Sequence, residues 1–392
     1  MNDISPGVSS RARTVAGLTF AAVVAVSAGA HAAAPVRLRV LTWNVWGLPV
    51  VSPNMDARIA ALPDAIAKLD PDVILLQELW EESSGNRVRQ GLERHGYPYA
   101  SHLAHTDSGM TGLFTASKLP LENIGFLPFA SGRIGHSFWH LEWLASKGLG
   151  RFLVQTSLGA IEIQNTHLQA QYDTDGYAAE RLSQVGEIVS MHQDWSLPLV
   201  LGGDFNTGAE ELPRKALLAL DALKDATPSP RPDTIFVRNG KSTMIRIVDA
   251  RSALTEPVRL ENGVVTELSD HPAVVVDLEL SDCTLCAPSA AGNTTTREAA
   301  HSALLSAAAI TPWRMTLALS TAASLLAAAV SLLRRRRGLS DRSWWFRAFR
   351  QTSLALLIAG FVWTAYLGSL YYPSRGRALR EVARELETRP PP

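Results

Sequence analysis

A short apolar run that stops at two glycines constrains this chain more than any other stretch. Leu197–Leu201 has the length and composition of a buried strand, and Gly202-Gly203 ends it abruptly. Asp204 and Asn206 follow two positions apart, so both can face the same side of an extended segment. A carboxylate and an amide in that arrangement can hold a phosphate oxygen, a nucleophilic water or a metal-bound water. An ordinary Asx turn after a strand is the alternative.

Charge is distributed unevenly along the 392 residues, although the formal net charge is zero. Residues 36–280 hold 21 Lys and Arg against 30 Asp and Glu, whereas residues 281–392 hold 14 against 6. Nonspecific affinity for nucleic acid comes mainly from Lys and Arg on phosphates, so we expect no nucleic-acid partner for the acidic segment. Its carboxylates favour a site that recruits divalent cations.

The N-terminal residues have the pattern of a secretory signal peptide. Arg11 and Arg13 precede the apolar run Val15–Ala30, and the small residues around Ala32 form a cleavage site. We predict a signal peptide over residues 1–32, with an uncleaved N-terminal anchor as the alternative.

Between residues 36 and 280, hydrophobic periodicity predicts strands that alternate with hairpins and helices. The strands are expected at 37–43, 72–77, 111–117, 151–157, 160–166, 197–201, 234–238, 245–250 and 273–280. The helices are expected at 55–69, 81–94, 176–195 and 210–220. This alternation indicates one domain built as a mixed-sheet α/β sandwich.

The composition changes after Leu280. Residues 281–312 are rich in Ser, Thr and Ala and are predicted to form a linker. Its cysteines, Cys283 and Cys286, form either a disulfide or a pair of inert thiols. Residues 315–333 and 352–372 contain no charged residue, and each is long enough to cross about 30 Å of hydrocarbon. We predict two transmembrane helices, separated by a loop at 334–351 and followed by a tail at 373–392.

Arginines around these segments predict an orientation. The loop at 334–351 holds seven arginines and one aspartate, and such loops stay in the cytoplasm. Both spans then place residues 36–310 outside the cytoplasmic membrane, in the periplasm or at the cell surface, as a signal peptide also requires.

Polar residues with catalytic potential occur at the ends of several predicted strands: Asn44, Glu78, His167, Asp204 with Asn206, and Asp270 with His271. Functional groups of α/β sheets collect where strands end and loops diverge. Each residue alone has an ordinary structural explanation, but all of these explanations would have to coincide. Together the residues suffice for metal-assisted phosphodiester hydrolysis, with a carboxylate for Mg²⁺, an amide to assist and a histidine to activate water.

Five motifs resemble, in order, those of the exonuclease/endonuclease/phosphatase superfamily: Trp43-Asn44, Gln77-Glu78, Thr166-His167-Leu168, Gly202-Gly203-Asp204-Phe205-Asn206 and Ser269-Asp270-His271. The resemblance covers about residues 38–280. It implies a four-layer α/β sandwich, with two mixed sheets flanked by helices, and in-line attack of water on phosphorus.

The resemblance also implies a metal site and a general base. Glu78 would bind Mg²⁺, for which Mn²⁺ or Co²⁺ can substitute, with Asn44 beside it and Asp270 assisting. His271 would be the general base.

The remaining roles follow from the same resemblance. Asp204 and Asn206 would orient water and phosphate, and His167 would serve the leaving group or the pentacovalent charge. The carboxylate that pairs with the base comes from a strand motif that residues 231–238 match only in part. Asp233 is therefore predicted as this partner, with Asp249 as the alternative.

Finer features resemble the neutral sphingomyelinase branch. Thr166–Tyr172 resembles that branch's Thr-His-Leu-(His/Gln)-Ala-x-Tyr pattern, and Asn44–Pro49 and Leu76–Trp80 are similarly typical. Trp143–Gly148 resembles a segment that often carries Lys-Gly before a strand. The branch implies a sphingolipid or phospholipid substrate in a membrane, cleaved to ceramide or diglyceride and a phosphorylated headgroup.

Three other functions stay open. A secreted nuclease and an inositol-phosphate-type phosphatase would use the same scaffold, and a non-catalytic surface binding protein would keep only its fold. Aromatic residues within Phe126–Trp143 are predicted either to enter the membrane interface or to lie in the core.

Overall fold

The computed structural model describes residues 34–106, 109–131, 145–172, 177–192, 195–227, 232–284, 286, 294–334 and 344–388. The predicted signal peptide at 1–32 lies outside the described residues, and so do Phe138, Trp139 and Trp143 and residues 335–343 of the predicted arginine-rich loop. The predictions for these segments stay predictions.

The described residues form strands and helices in the following order. The strands are β1 (Val36–Gly47), β2 (Val73–Leu79), β3 (Tyr99–Thr106), β4 (Gly109–Ser117), β5 (Leu121–Pro128), β6 (Gly148–Thr156), β7 (Gly159–His167), β8 (Leu199–Asp204), β9 (Lys224–Asp225), β10 (Asp233–Arg238), β11 (Thr243–Ala253), β12 (Val258–Arg259), β13 (Val265–Thr266) and β14 (Ala273–Asp282). The helices are α1 (Met55–Ala67), α2 (Glu82–Arg94), α3 (Ala178–Met191), α4 (Leu212–Leu220), α5 (Thr294–Ala309), α6 (Thr311–Arg334), α7 (Trp344–Tyr366) and α8 (Tyr372–Thr388). A π-helical turn at Leu367–Tyr371 joins the last two helices.

The strands pair into two six-stranded mixed sheets and one short hairpin. The first sheet has the order β11-β14-β1-β2-β4-β3 and the second has the order β5-β6-β7-β8-β10-β9. β1 is parallel to β2 and β7 is parallel to β8, whereas the other neighbours are antiparallel. β12 and β13 form the separate hairpin.

Three apolar layers hold the sheets and helices together. Val40 and Val73 of the first sheet pack between the sheets with Val200 and Ile235 of the second. The outer face of the first sheet packs on α1 and α2. The outer face of the second sheet packs on α3 and α4. The predicted four-layer α/β sandwich is confirmed.

The edge strands β3 and β5 escaped prediction from the sequence. β5 is largely exposed, so its sequence lacks the apolar alternation that marks a half-buried strand. Its last residue, Pro128, is typical of an edge strand. Beside it, Phe129 is buried in the core, so the membrane-interface alternative is wrong for this residue.

The linker predicted at 281–312 is wrong for Thr294–Ala309, which is helix α5. Ala300, Leu304 and Ala308 lie at four-residue spacing and are buried against the second sheet's helices. Alanine-rich composition suggested a linker, but alanine is also the strongest helix former. Before this helix, Cys283 and Cys286 form a disulfide, which decides between the two alternatives left open.

The two apolar segments form the long helices α6 and α7, whose surfaces are mostly exposed. Only 17% and 6% of their most apolar windows are buried, and Leu317, Leu356 and Val362 are exposed. Contiguous apolar surface of this extent is unfavourable in water, so the helices suggest membrane association. The segment that follows is no free tail, because Leu379 and Val382 of α8 join the core around α3.

We expect Leu304→Ala to destabilise the sandwich by about 2–5 kcal/mol, because it empties a fully buried position between α5 and the second sheet's helices. The adjacent Leu305 is 42% exposed, and Leu305→Ala should cost less than about 1 kcal/mol. Thermal unfolding of the detergent-solubilised chain measures both. Equal effects of the two substitutions would mean that α5 is not part of the core.

Candidate active site

Most of the candidate residues lie at the ends of strands, at positions whose side chains face the space between the two sheets. These strand ends meet at one edge of the sandwich. On β1, Leu38 and Val40 pack between the sheets, and Asn44 follows at the same two-residue spacing. The same rule places His167 of β7, Asp204 of β8 and Asp233 of β10 on the face opposite Asn44. We call this the site edge, where β1, β2, β7 and β8 end.

Two glycines allow close approach there, Gly202 between the two sheets and Gly203 between neighbouring strands of one sheet. A Cβ atom on Gly202 would lie 2.5 Å from Cδ1 of Leu75 in the other sheet. A Cβ atom on Gly203 would lie 2.0 Å from the carbonyl oxygen of Thr166 on the neighbouring strand. The glycines that end the apolar run are therefore required by close approach.

The side chain of Asn44 joins the two sheets. Its Nδ2 donates to Glu78 Oε1 in the first sheet and to Asp204 Oδ2 in the second, each at 3.0 Å. Its backbone N–H donates to Asp233 Oδ1 at 3.2 Å. The N–H of Trp46 donates to Asn44 Oδ1, which fixes the amide with its nitrogen toward the carboxylates.

Glu78 reaches the site because its backbone leaves the strand conformation. Along β2 the inward positions are Val73, Leu75 and Gln77, so regular alternation would turn Glu78 outward. Its φ of 60° lies in the left-handed region, which is rare for a long side chain and is a form of strain common at functional sites.

Asp204 and Asn206 form an Asx turn that also lies in the candidate site. Asp204 Oδ1 accepts from the backbone N–H of Asn206 at 2.9 Å, which is an Asx turn. Its Oδ2 accepts from Asn44 at the same time, so the turn holds this carboxylate in the site. The Nδ2 of Asn206 donates to the carbonyl of Leu168 at 3.1 Å, beside His167.

His271 pairs with Asp233, the partner that the sequence favoured. Its Nδ1 lies 2.5 Å from Asp233 Oδ2, and its carbonyl accepts from Trp43 Nε1 at 2.7 Å. The alternative partner, Asp249, instead forms an ion pair with Arg251.

Burial and charge set the protonation of this pair. Burial lowers the pKa of His271, but the hydrogen bond and charge of Asp233, with Asp204 and Asp270 nearby, outweigh it and raise the pKa to about 10. Burial and the Asp204 charge raise the pKa of Asp233 to about 6. In the metal-free protein the pair is therefore imidazolium and carboxylate near pH 7.

His167 is neutral at the same pH. Burial, together with the positive charges of Lys147 and His271, holds its pKa well below 6.5. Its Nε2 lies 3.6 Å from Asp204 Oδ2 and 4.0 Å from Glu78 Oε1. A neutral imidazole here can donate one hydrogen bond to a bound phosphate oxygen.

Lys147 is a site residue to which sequence reasoning gave no role. It is 1% exposed, and its Nζ lies 5.9 Å from the centre of the Trp80 ring, which in turn lies 6.3 Å from the His167 ring. The sequence signal for Lys147 was its position in the Lys-Gly segment. A lysine before a strand is usually solvated, so the burial of this one could not be predicted.

The site offers hard oxygen donors suited to Mg²⁺. In the part of the chain that the structure describes, Asp204, Asp233 and His271 place ligand atoms within 4.8 Å of one another. Glu78 shares the Asn44 amide with Asp204 and adds a further carboxylate. Carboxylate oxygens are the donors Mg²⁺ prefers, so these residues fit such an ion.

Asp270 lies apart from this group. It is exposed, and its Oδ1 lies 3.3 Å from the hydroxyl oxygen of Ser269. Ser269 in turn donates to the carbonyl of Asn44 at 2.7 Å, so the motif supports the site through its serine.

Comparison with known proteins finds a family profile and several relatives that this chain resembles. The profile of the Endonuclease/Exonuclease/phosphatase family matches residues 41–271. A putative neutral sphingomyelinase of Drosophila melanogaster is 27% identical over 275 residues, which are 62% of this chain and 61% of that protein.

Two further relatives match over shorter segments. The inositol phosphosphingolipids phospholipase C of Schizosaccharomyces pombe is 30% identical over 51% of this chain and 48% of its own length. Human sphingomyelin phosphodiesterase 2 is 29% identical over 49% of this chain and 46% of its own. The chain thus spans less than two thirds of each curated relative. Among solved structures, sphingomyelinase C of Streptomyces griseocarneus has 18% identity and a TM-score of 0.48 over 62% of this chain and 99% of that one.

We expect Asp233→Asn to lower the pKa of His271 toward its ordinary value of 6.5, because the substitution removes the charge and hydrogen bond that raise it. Histidine-selective NMR titration of the EDTA-treated protein measures this, with Asp249→Asn as the control. Because the folded-state pKa of His271 is raised, protonation of this histidine stabilises the fold fully below about pH 6.5. That stabilisation is lost as the pH rises through about 10. An unchanged pKa in Asp233→Asn would contradict the pairing.

Proposed function

Because the chain belongs to the endonuclease/exonuclease/phosphatase family, we propose that it is a membrane-anchored, Mg²⁺-dependent phosphodiesterase. We propose sphingomyelin or a related phospholipid as the substrate, with ceramide or diglyceride and a phosphorylated headgroup as products. The observation that carries the proposal is the junction at the site edge, where Asn44 joins Glu78 and Asp204 beside the Asp233–His271 pair. The relatives' names and the two apolar helices support the choice of substrate.

Glu78 and Asp204 would hold the Mg²⁺ ion, and Asn44 would keep their two carboxylates in place. The bound ion would supply positive charge for the phosphate oxygens. Asp270 would act only at longer range, through its charge near His271.

His271 would be the general base. Asp233 binds its Nδ1 and leaves Nε2 as the proton-accepting atom. Proton uptake requires the neutral imidazole, and positive charge bound at Glu78 and Asp204 would favour that form over the imidazolium of the metal-free protein. Nε2 would then take a proton from the attacking water. The water oxygen bonds to phosphorus while the bond from phosphorus to the lipid oxygen breaks. That lipid oxygen would leave with the negative charge and take a proton from solvent, and the proton held on His271 would later be released to solvent.

Three side chains would contact the phosphate. Neutral His167 would donate a hydrogen bond near the leaving oxygen, and Asn206 would orient water and phosphate. Buried Lys147 would add a positive charge that strengthens as phosphate negative charge accumulates.

We also propose that the catalytic domain acts outside the cytoplasmic membrane. The signal peptide pattern at 1–32 and the arginines at 334–351 support this orientation independently of each other.

We expect the full chain to release phosphocholine from sphingomyelin vesicles in the presence of Mg²⁺ and to stop on addition of EDTA. Phosphatidylcholine, supercoiled DNA and inositol polyphosphates are assayed in parallel. The acidic balance of residues 36–280 predicts no DNA nicking. His271→Ala, as the inactive reference, should lose roughly 10²–10⁴-fold in rate. DNA nicking as the sole activity, or full activity in EDTA, would overturn the proposal.

We expect Glu78→Gln to weaken Mg²⁺ binding and to lower the rate by roughly a hundredfold or more, because it removes a charged ligand. Isothermal titration with Mg²⁺ and vesicle assays over a range of Mg²⁺ concentration measure the two effects. Glu93→Gln on the exposed face of α2 is the matched control. Wild-type activity of Glu78→Gln at saturating Mg²⁺ would show that Glu78 is not the metal ligand.

A further inference from the structure

The two apolar helices join the catalytic domain at the site edge. Arg375, in the first turn of α8, donates to the carbonyl of Ala307 at 3.1 Å and forms a buried ion pair with Glu180 of α3. Tyr371, at the end of the π-helical turn, donates to the same carboxylate at 3.2 Å. Arg375 also lies 3.5 Å from the hydroxyl of Thr311, so the junction of α5 and α6, the start of α8 and the first turn of α3 meet at one place.

That first turn of α3 lies beside the loop that follows His167. Gln184 Oε1 accepts from the backbone N–H of Gln169 at 2.9 Å, and Arg181 donates to the Gln169 carbonyl at 3.3 Å. Arg181 also pairs with Glu211, which precedes α4 and follows the Asp204 motif. The helices thus emerge next to the candidate active site.

The directions of the helices place the apolar spans beyond this edge. Only Ile310 separates α5 from α6, and α5 is buried along the domain up to Ala308. From Arg375, α8 runs back along α3, since its Val382 lies against Gly186 two turns further on. Both α6 and α7 therefore extend away from the domain on the side of the active site.

Exposed valines lie on two loops of the same edge. Val50 is fully exposed and Val51 is 56% exposed, on the loop between β1 and α1. Val264 and Val265 are 39% and 55% exposed, in the β12–β13 hairpin that precedes His271. We call these four residues the valine rim.

The conformation of the first loop is fixed. Arg58 is buried and donates to the carbonyls of Val45, Trp46 and Pro53, which brace the loop from inside. Val50 has a φ of 67°, a strained conformation for a β-branched residue. The backbone of this exposed valine is therefore held in a conformation that costs stability.

The two loops of the rim are connected. Arg58 also donates to the carbonyl of Leu268, which follows the hairpin, at 2.7 Å. At the tip, Asn262 Nδ2 lies 3.5 Å from Asn54 Oδ1 of the first loop. The valines thus belong to one braced surface.

We propose that the site edge lies on the surface of the bilayer that α6 and α7 span, with the valine rim inserted at its interface. The rim and the two helices are then separate contacts with the same membrane, and the active site faces the leaflet between them. We choose a lipid surface as the partner of the valine rim because the two helices hold this edge next to a bilayer. The inference rests on the proposed function, since it positions the site for a substrate held in that leaflet.

The test places a bimane fluorophore on Val50→Cys and, separately, on Val264→Cys, in the full chain reconstituted in phosphatidylcholine vesicles containing sphingomyelin. The native cysteines are paired in a disulfide and do not react. We expect quenching by lipids that carry a doxyl group near the headgroup. Met244→Cys is the control. Met244 is 40% exposed on β11 and pairs with the end of β14 that lies away from His271. It should not be quenched.

A second measurement relates the rim to catalysis. Val50→Ser combined with Val51→Ser should lower the rate on vesicle sphingomyelin by roughly tenfold. Each valine that enters the bilayer contributes free energy of transfer from water to lipid, which serine does not. The rate on a monomeric, water-soluble phosphodiester should stay within twofold. Met244→Ser should change neither rate.

The outcomes separate this inference from the proposed function. Quenching without hydrolysis of any lipid would contradict the function and leave the docking surface intact. Hydrolysis with bimane at both rim positions unquenched would overturn the docking surface, as would quenching only after addition of a second protein. Equal loss of both rates in the double serine variant would indicate a structural effect and also contradict membrane docking by the valine rim.

Discussion

The hydrogen bonds of the Asn44 amide connect the two halves of the candidate site. Glu78 and Asp204 belong to different sheets and carry the same charge, and each accepts from the same amide nitrogen. Without a donor between them, two buried carboxylates would repel and lose hydration. Directly beneath, Gln77 donates to Asn165 at 2.8 Å and forms a second amide contact between the sheets. These contacts determine how far apart the two strand ends lie, and therefore the geometry of the whole site.

Much of this arrangement could be predicted because it follows strand periodicity. Asn44, Asp204 and Asp233 occupy inward positions that continue apolar rows, and a pattern of period two is visible in the sequence. Glu78 could not be placed this way, since its left-handed φ departs from the pattern. The burial of Lys147 depends on contacts with distant segments, which local sequence does not encode.

Helix α5 was missed for a different reason. Its Ser, Thr and Ala content is compatible with both a linker and a helix, and only packing against α3, α4 and α8 decides between them. That packing has a consequence for function, because no flexible segment separates Thr294 from the apolar span. Four residues at or near the site, Trp46, Val50, Glu78 and Asn206, have a positive φ. Such strain persists only where surrounding contacts impose it, as those of Arg58 do around the first loop.

Charge explains why rigid helices and apolar contacts suit this domain. Residues 36–280 carry nine more acidic than basic residues, so an anionic lipid surface would repel the domain rather than attract it. In the proposed membrane-bound state, electrostatic attraction therefore cannot bring the site to the bilayer, and attachment would come from covalent continuity and burial of apolar side chains. A tether raises the local concentration of the domain at the bilayer, but a flexible one leaves its orientation free. Continuous helices anchored by the Glu180–Arg375 ion pair restrict that orientation as well. A lipid phosphodiester lies in a fixed plane, so an active site that reaches it needs both restrictions.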